Sequence, residues 1–162
     1  MRSSDCILPD LESFASHVVR LAKANVCPLI AGSMGEGIHL THSERVTLIK
    51  TARRALDEAG LSDVPIVAGT GTGSTRETVE LCHEAAVAGA DFLIVITSGY
   101  FAGALTRDAL KAYFVEVAEK SPLPVIIYNC MLNLFPELPV DHRIDLLEQI
   151  LVPVAASTST LT

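Results

Sequence analysis

A chain of 162 residues carrying a formal net charge of −7 and a sequence pI near 5.1 lacks the basic surface on which general nucleic-acid binding depends. Its 49% hydrophobic content and mean hydropathy of +0.40 suit one domain built on parallel strands covered by helices. No apolar run approaches the ~20 residues of a bilayer span, and the opening Met1–Cys6 has no apolar signal core, so a cytoplasmic protein without membrane partners is expected.

In chain order, Asp10 is placed to cap a helix reaching about Ala24, with Leu11, Phe14, Val18 and Leu21 recurring at helical steps. Cys27–Ala31 is an apolar run that reads as a buried strand and stops at Gly32-Ser33-Met34-Gly35-Glu36. Thr41-x-x-Glu44 is a capping box that opens a second helix, from about Ser43 to Ala59, with Val46, Ile49, Arg53 and Leu56 on one side and Gly60 as its stop. Val64–Ala68 reads as a second strand ending in Gly69-Thr70-Gly71-Thr72-Gly73. Ser74-x-x-Glu77 is another capping box, for a helix to about Ala88 that Gly89-Ala90-Asp91 breaks. Phe92–Ile96 is the third strand, followed by Thr97–Phe101, and a helix from about Thr106 to Lys120 buries Leu110, Phe114 and Val117. Val125–Tyr128 is the fourth strand. Beyond Asn129, residues Asp141–Ile150 could form a helix, Leu151–Ala156 a fifth strand and Ser157–Thr162 a frayed tail.

Strands and helices therefore alternate, and right-handed crossovers make the strands parallel neighbours. A piece of a (β/α)8 barrel and an open doubly wound sheet both fit. Either way, ligands collect at the loops that follow strand C-terminal ends. The loop at Gly32–Glu36 is the first candidate, because glycines flanking a hydroxyl let backbone N–H groups approach a ligand closely. Gly69-x-Gly71-x-Gly73 follows a strand but departs from G-x-G-x-x-G, and Asp91 precedes a strand instead of ending one, which argues against a dinucleotide site. Glu36, His39 and His42 recur every three residues, yet this is not H-E-x-x-H on a helix; solvent-facing histidines and no metal are the expectation. Cys6, Cys27, Cys82 and Cys130 form no C-x-x-C, which points to buried reduced thiols in place of zinc or disulfides. Tyr128, at a strand end, is chemically able to give or take a proton in a dry pocket; the alternative is a core-edge tyrosine with its hydroxyl in water.

Three stretches carry a resemblance. They are Gly32-Ser33-Met34-Gly35-Glu36 with Leu40-Thr41-x-Ser43-Glu44-Arg45; Val67-Ala68-Gly69-Thr70-Gly71 with the Gly89-Ala90-Asp91 turn; and Leu123-Pro124-Val125-Ile126-Ile127-Tyr128-Asn129. Over roughly Leu11 to Asn129 the chain resembles the dihydrodipicolinate synthase / N-acetylneuraminate lyase family, class I aldolases and lyases acting on pyruvate or other 2-oxo acids. The resemblance implies an α/β fold that is about half of a (β/α)8 TIM barrel, one incomplete domain over 1–162 with a divergent part at 130–162. It gives Tyr128 the role of proton-relay phenol, and Ser33 that of binding the substrate carboxylate and joining the relay, within a substrate loop of Gly32, Ser33 and Met34. Met34 stands where the family commonly has threonine or asparagine, and a thioether donates no hydrogen bond, so carboxylate binding would rest on Ser33 and backbone N–H groups. Tyr100 or Phe101 occupies the family's aromatic-pair position, which makes Tyr100 a further relay candidate. The implied partner is a small 2-oxo acid such as pyruvate, with no cofactor and a possible homo-oligomer.

A class I aldolase forms an imine through a lysine, which the family supplies a little under thirty residues past the relay tyrosine. The corresponding region here is Ala155-Ala156-Ser157, and no lysine follows Lys120. Lys23, Lys50, Lys111 and Lys120 all fall in predicted helices. The expectation is a truncated aldolase, inactive by itself; a non-catalytic binding relative and a small open-sheet nucleotide binder are the other readings.

Overall fold

The computed structural model describes residues 10–97 and 105–128. Tyr100, Phe101, Cys6, Cys130 and everything expected after Tyr128 lie outside the described residues.

The order is α1 (Leu11–Lys23), β1 (Leu29–Ile30), a 3-10 turn (Gly37–His39), α2 (His42–Glu58), β2 (Val67–Gly69), α3 (Thr75–Ala88), β3 (Phe92–Ile96), α4 (Arg107–Lys120) and β4 (Val125–Tyr128). The strands form one sheet in the order β1-β2-β3-β4, and every pair is parallel. This is a partial TIM-barrel fold.

The helices start where the caps direct. Asp10 accepts the Ser13 N–H at 3.1 Å. Thr41 and Glu44 close the full reciprocal box of α2, with Glu44 N donating to Thr41 Oγ1 at 3.3 Å and Thr41 N to Glu44 Oε2 at 2.8 Å. The second box is only half made. Ser74 caps Glu77, but the Ser74 N–H goes to Thr72 Oγ1 at 3.2 Å, and Glu77 turns towards α2.

Two strands are shorter than the sequence predicts. Ala31 adopts φ 56°, a left-handed backbone that leaves the ladder and ends β1 at Ile30. In place of Val64–Ala68, β2 spans Val67–Gly69, because the Ile66 N–H is taken by the Asp91 carboxylate at 2.8 Å and Val64 N bonds back to Leu61 O. The observed α2 also buries more than the predicted stripe: Leu48, Ala52, Ala55 and Arg45 face inward with Ile49 and Leu56.

The register puts Ile30, Ala68, Leu93 and Val95 on one face of the sheet, where they are buried under the helices with Leu56, Cys82, Phe114 and Val117. Each fully buried large side chain in this layer contributes about 1.5–3 kcal/mol. Leu29, Phe92, Ile126 and Tyr128 point to the other face and are 48, 38, 42 and 37% exposed. A doubly wound sheet carries helices on both faces; here the described helices cover one. In a closed barrel the open face is the interior, filled by layers of side chains.

Cys82 is buried, but Cys27 is exposed, against the expectation of buried thiols. Asn25 at φ 57° turns the chain after α1, so Pro28 enters the core and Cys27 remains outside, its thiol donating to Pro65 O at 3.0 Å.

Candidate active site at the strand ends

Because all four strands run the same way, the residues after β1, β2 and β3 and the last residue of β4 share one rim. Ser33 lies three residues past β1, and Tyr128 ends β4 in register with Ile96. Gly32, Ser33, Met34 and Tyr128 are thus brought to the same edge of the sheet. Ser33 and Tyr128 are separated by three strand spacings, about 14 Å of sheet width, so they bracket the rim from either side.

The Ser33 loop is held by its own backbone. Gly32 O accepts the N–H groups of Gly35 and Gly37, both at 3.1 Å, and Ser33 O accepts that of Glu36 at 3.2 Å. The loop lies between two left-handed non-glycine residues, Ala31 (φ 56°) and Glu36 (φ 52°), each a cost of roughly 1–2 kcal/mol that folded structure tends to tolerate at functional positions. Ser33 is exposed, and Met34 is 98% exposed.

Below the loop the packing is close. A Cβ on Gly37 would meet Ala31 O at 2.2 Å, and one on Gly69 would meet the same oxygen at 2.3 Å. Arg45, 8% exposed, donates to Gly69 O at 3.0 Å, to Leu40 O at 3.5 Å and to Gly37 O. Burial lowers its pKa, with Glu77 and Glu84 opposing at longer range. The β2 end is anchored from α3 and α4. Thr78 Oγ1 lies 3.2 Å from Thr72 Oγ1 and 3.1 Å from the Tyr113 hydroxyl, whose pKa burial raises. The Cys82 thiol, also raised by burial, donates to Thr70 Oγ1 at 3.4 Å.

The glycine run after β2 has a packing explanation. A Cβ on Gly71 would lie 2.5 Å from Ile96 N, so Gly71, like Gly69, lets neighbouring strand ends meet. His42 is not a loop histidine. It is the first residue of α2, and its Nδ1 lies 3.0 Å from both Glu84 oxygens while its Nε2 lies 3.6 Å from Glu77. With both ring nitrogens facing α3 carboxylates, it links two helices. Among the described residues no group of three His, Cys, Asp or Glu side chains is arranged to hold a metal. Lys23, Lys50, Lys111 and Lys120 are exposed on α1, α2 and α4, away from the strand-end loops.

The sequence reading missed Arg45 and the contacts of His42 with α3. The Arg45 partners are backbone carbonyls, which leave no compositional trace, and the Glu84 carboxylate is 42 residues from His42. One signal was available: an arginine four residues after the cap Thr41, among inward-facing positions.

A parallel α/β sheet with its candidate polar groups on the C-terminal rim is the arrangement of a (β/α) barrel enzyme scaffold. A model of the dihydrodipicolinate synthetase family matches residues 15–147, so the match runs past Asn129, where the sequence motifs end. An L-threo-3-deoxy-hexylosonate aldolase of Aspergillus niger is 44% identical over 122 residues, covering 74% of this chain and 36% of the relative. The Emericella nidulans protein named "Probable 4-hydroxy-2-oxoglutarate aldolase, mitochondrial" is 40% identical over 121 residues, 74% of this chain and 39% of its own. Among solved structures, YagE of E. coli K12, a dihydrodipicolinic acid synthase family protein in complex with pyruvate, superposes with a TM-score of 0.67 at 34% identity, over 76% of this chain and 40% of that one. The chain belongs to the dihydrodipicolinate synthetase family. It spans little more than a third of the length of these curated relatives. Among the described residues no helix is long and apolar enough to cross a membrane.

Proposed function

We propose that this chain carries the carboxylate-binding side of a class I aldolase or lyase site that takes pyruvate or another 2-oxo acid, of the 4-hydroxy-2-oxoglutarate aldolase or dihydrodipicolinate synthase type. One observation supports the reading: the Ser33 loop and Tyr128 share the C-terminal rim of a single parallel sheet. In this reading the Ser33 hydroxyl and the N–H groups of Ser33 and Met34 take the carboxylate. The N–H groups of Gly35, Glu36 and Gly37 are already engaged within the loop. The Met34 side chain adds no hydrogen bond, so its exposed thioether meets the apolar part of the ligand. Tyr128 is the phenol that exchanges a proton near the substrate carbonyl, and Tyr100 is the further relay candidate after β3.

A second reading is favoured by the position of the four lysines, all on helix exteriors. By itself the 162-residue chain binds the 2-oxo acid without forming an imine. The pyruvate-bound relative is consistent with such a ligand. We place the protein in the cytoplasm as a homo-oligomer, against two relatives whose names assign them to mitochondria.

The test is a pyruvate titration of the 15N-labelled chain. The expected result is saturable shifts of the Ser33 and Met34 amides, with a Kd on the order of millimolar, weakened by Ser33→Ala. Saturable shifts confined to other surfaces, or no shift, overturn the reading.

A further inference from the structure

We infer that Arg45 is the positioning residue of this rim: its guanidinium ties the Ser33 loop to the end of β2 and so sets the geometry of the groups that meet the ligand. The ligand half of this statement rests on the function proposed above; the structural half stands alone.

Arg45 is buried, and among the described residues no carboxylate lies within 4.0 Å of it. A buried cation with no carboxylate in direct contact, and only Glu77 and Glu84 acting at longer range, is costly unless its donors are all used well. Its partners are carbonyls from two separate connections: Gly37 and Leu40 after β1, and Gly69 at the end of β2. A planar fork of five donors can span such a set, and the single ammonium of lysine cannot. The fork closes on the place where Gly37 and Gly69 admit the Ala31 carbonyl between them. From there the bonding continues to the ligand loop: Gly37 N donates to Gly32 O at 3.1 Å, one residue before Ser33.

The same helix supplies the comparison. Arg53 reaches Gly89 O at 3.2 Å, Ser62 O at 3.1 Å and the Asp91 carboxylate, all at the opposite end of the sheet. Conventional structural anchoring at the base is therefore separable from anchoring at the rim.

Wild type, Arg45→Met, Arg45→Lys and Arg53→Met are compared by amide hydrogen exchange and pyruvate titration. In Arg45→Met, exchange at Gly35 and Gly37 accelerates by about tenfold or more relative to the α3 amides, and pyruvate binding weakens by about tenfold. Arg45→Lys falls between, and carries the comparison if the methionine variant does not fold. Arg53→Met lowers the unfolding midpoint but leaves loop exchange and pyruvate affinity unchanged. Unchanged loop exchange in both Arg45 variants, or equal acceleration in Arg53→Met, overturns the inference. If wild type does not bind pyruvate while the exchange pattern holds, the proposed function falls and the anchoring role of Arg45 stands.

Discussion

Arg53 and Asp91 form an ion pair at the base of the sheet, and the Asp91 oxygen that meets Arg53 also accepts the N–H of Ile66 at 2.8 Å. One carboxylate oxygen thus joins α2 to the entry of both β2 and β3. Ile66 is fully buried, so its N–H has no recourse to water. Asp91→Ala is expected to cost about 1–3 kcal/mol, mainly through that orphaned donor. Asp91→Asn, which keeps an acceptor oxygen, costs less. Urea unfolding of the two variants checks the order; an asparagine variant as unstable as the alanine one would place the weight on the ion pair instead.

His42 makes the α2–α3 contact dependent on pH. Its hydrogen bond to Glu84 is the largest influence, and with the Glu84 and Glu77 charges it raises the pKa above 6.5, against a smaller desolvation that lowers it. The charged groups facing this pair are Glu77 and Glu84 from α3 and Arg45 from α2. A raised folded pKa means the stabilisation is complete below the unfolded value and fades as pH climbs through the folded one. The stability difference between wild type and His42→Ala should therefore be larger near pH 5 than near pH 9. Its size stays under about 1 kcal/mol, because the pair is solvent-accessible. A difference that grows with pH would contradict this sign.

Borohydride trapping with pyruvate should add no mass to the isolated chain. Imine formation needs an amine at the substrate, and all four lysines are exposed on helices. Intact-mass spectrometry reads the result, and a stoichiometric adduct mapped to Lys23, Lys50, Lys111 or Lys120 would refute the exclusion of these residues from imine formation.

The sheet face that the described helices leave open should make the isolated chain self-associate. Leu29, Phe92 and Ile126 are 48, 38 and 42% exposed on one apolar surface, and the outer edges of β1 and β4 have no strand partner among the described residues. Ile126→Lys places a charge on that surface and should shift the population towards monomer in sedimentation velocity. A wild-type chain that is monodisperse and monomeric would count against this account of the face.

What the sequence made legible was local. Thr41-x-x-Glu44, Asp10 and Gly60 marked helix ends through contacts a few residues apart, and the β3, α4 and β4 spans were readable from apolar runs and their stops. The common rim of the Ser33 loop and Tyr128 followed from alternation alone, because parallel crossovers leave little other choice. The errors arose where distant partners intervene. Ser74-x-x-Glu77 had the letters of a full box, but Glu77 lies near His42 and Thr72 takes the serine N–H. The length of β1 was set by the backbone of Ala31, a residue with no propensity for the left-handed region. Arg45 reads only as a letter of the Leu40–Arg45 motif; its place four residues after the cap hints that it faces inward, but nothing in the sequence identifies the three carbonyls it meets.

That choice of partners bears on how the rim can diversify. Peptide oxygens are common to all amino acids, so the fork at Arg45 does not read which side chains its two connections display. Met34 and Ile38, 98 and 87% exposed, are therefore open to randomisation in a library without loosening their mount. New ligand preferences could be selected there while the scaffold is inherited unchanged.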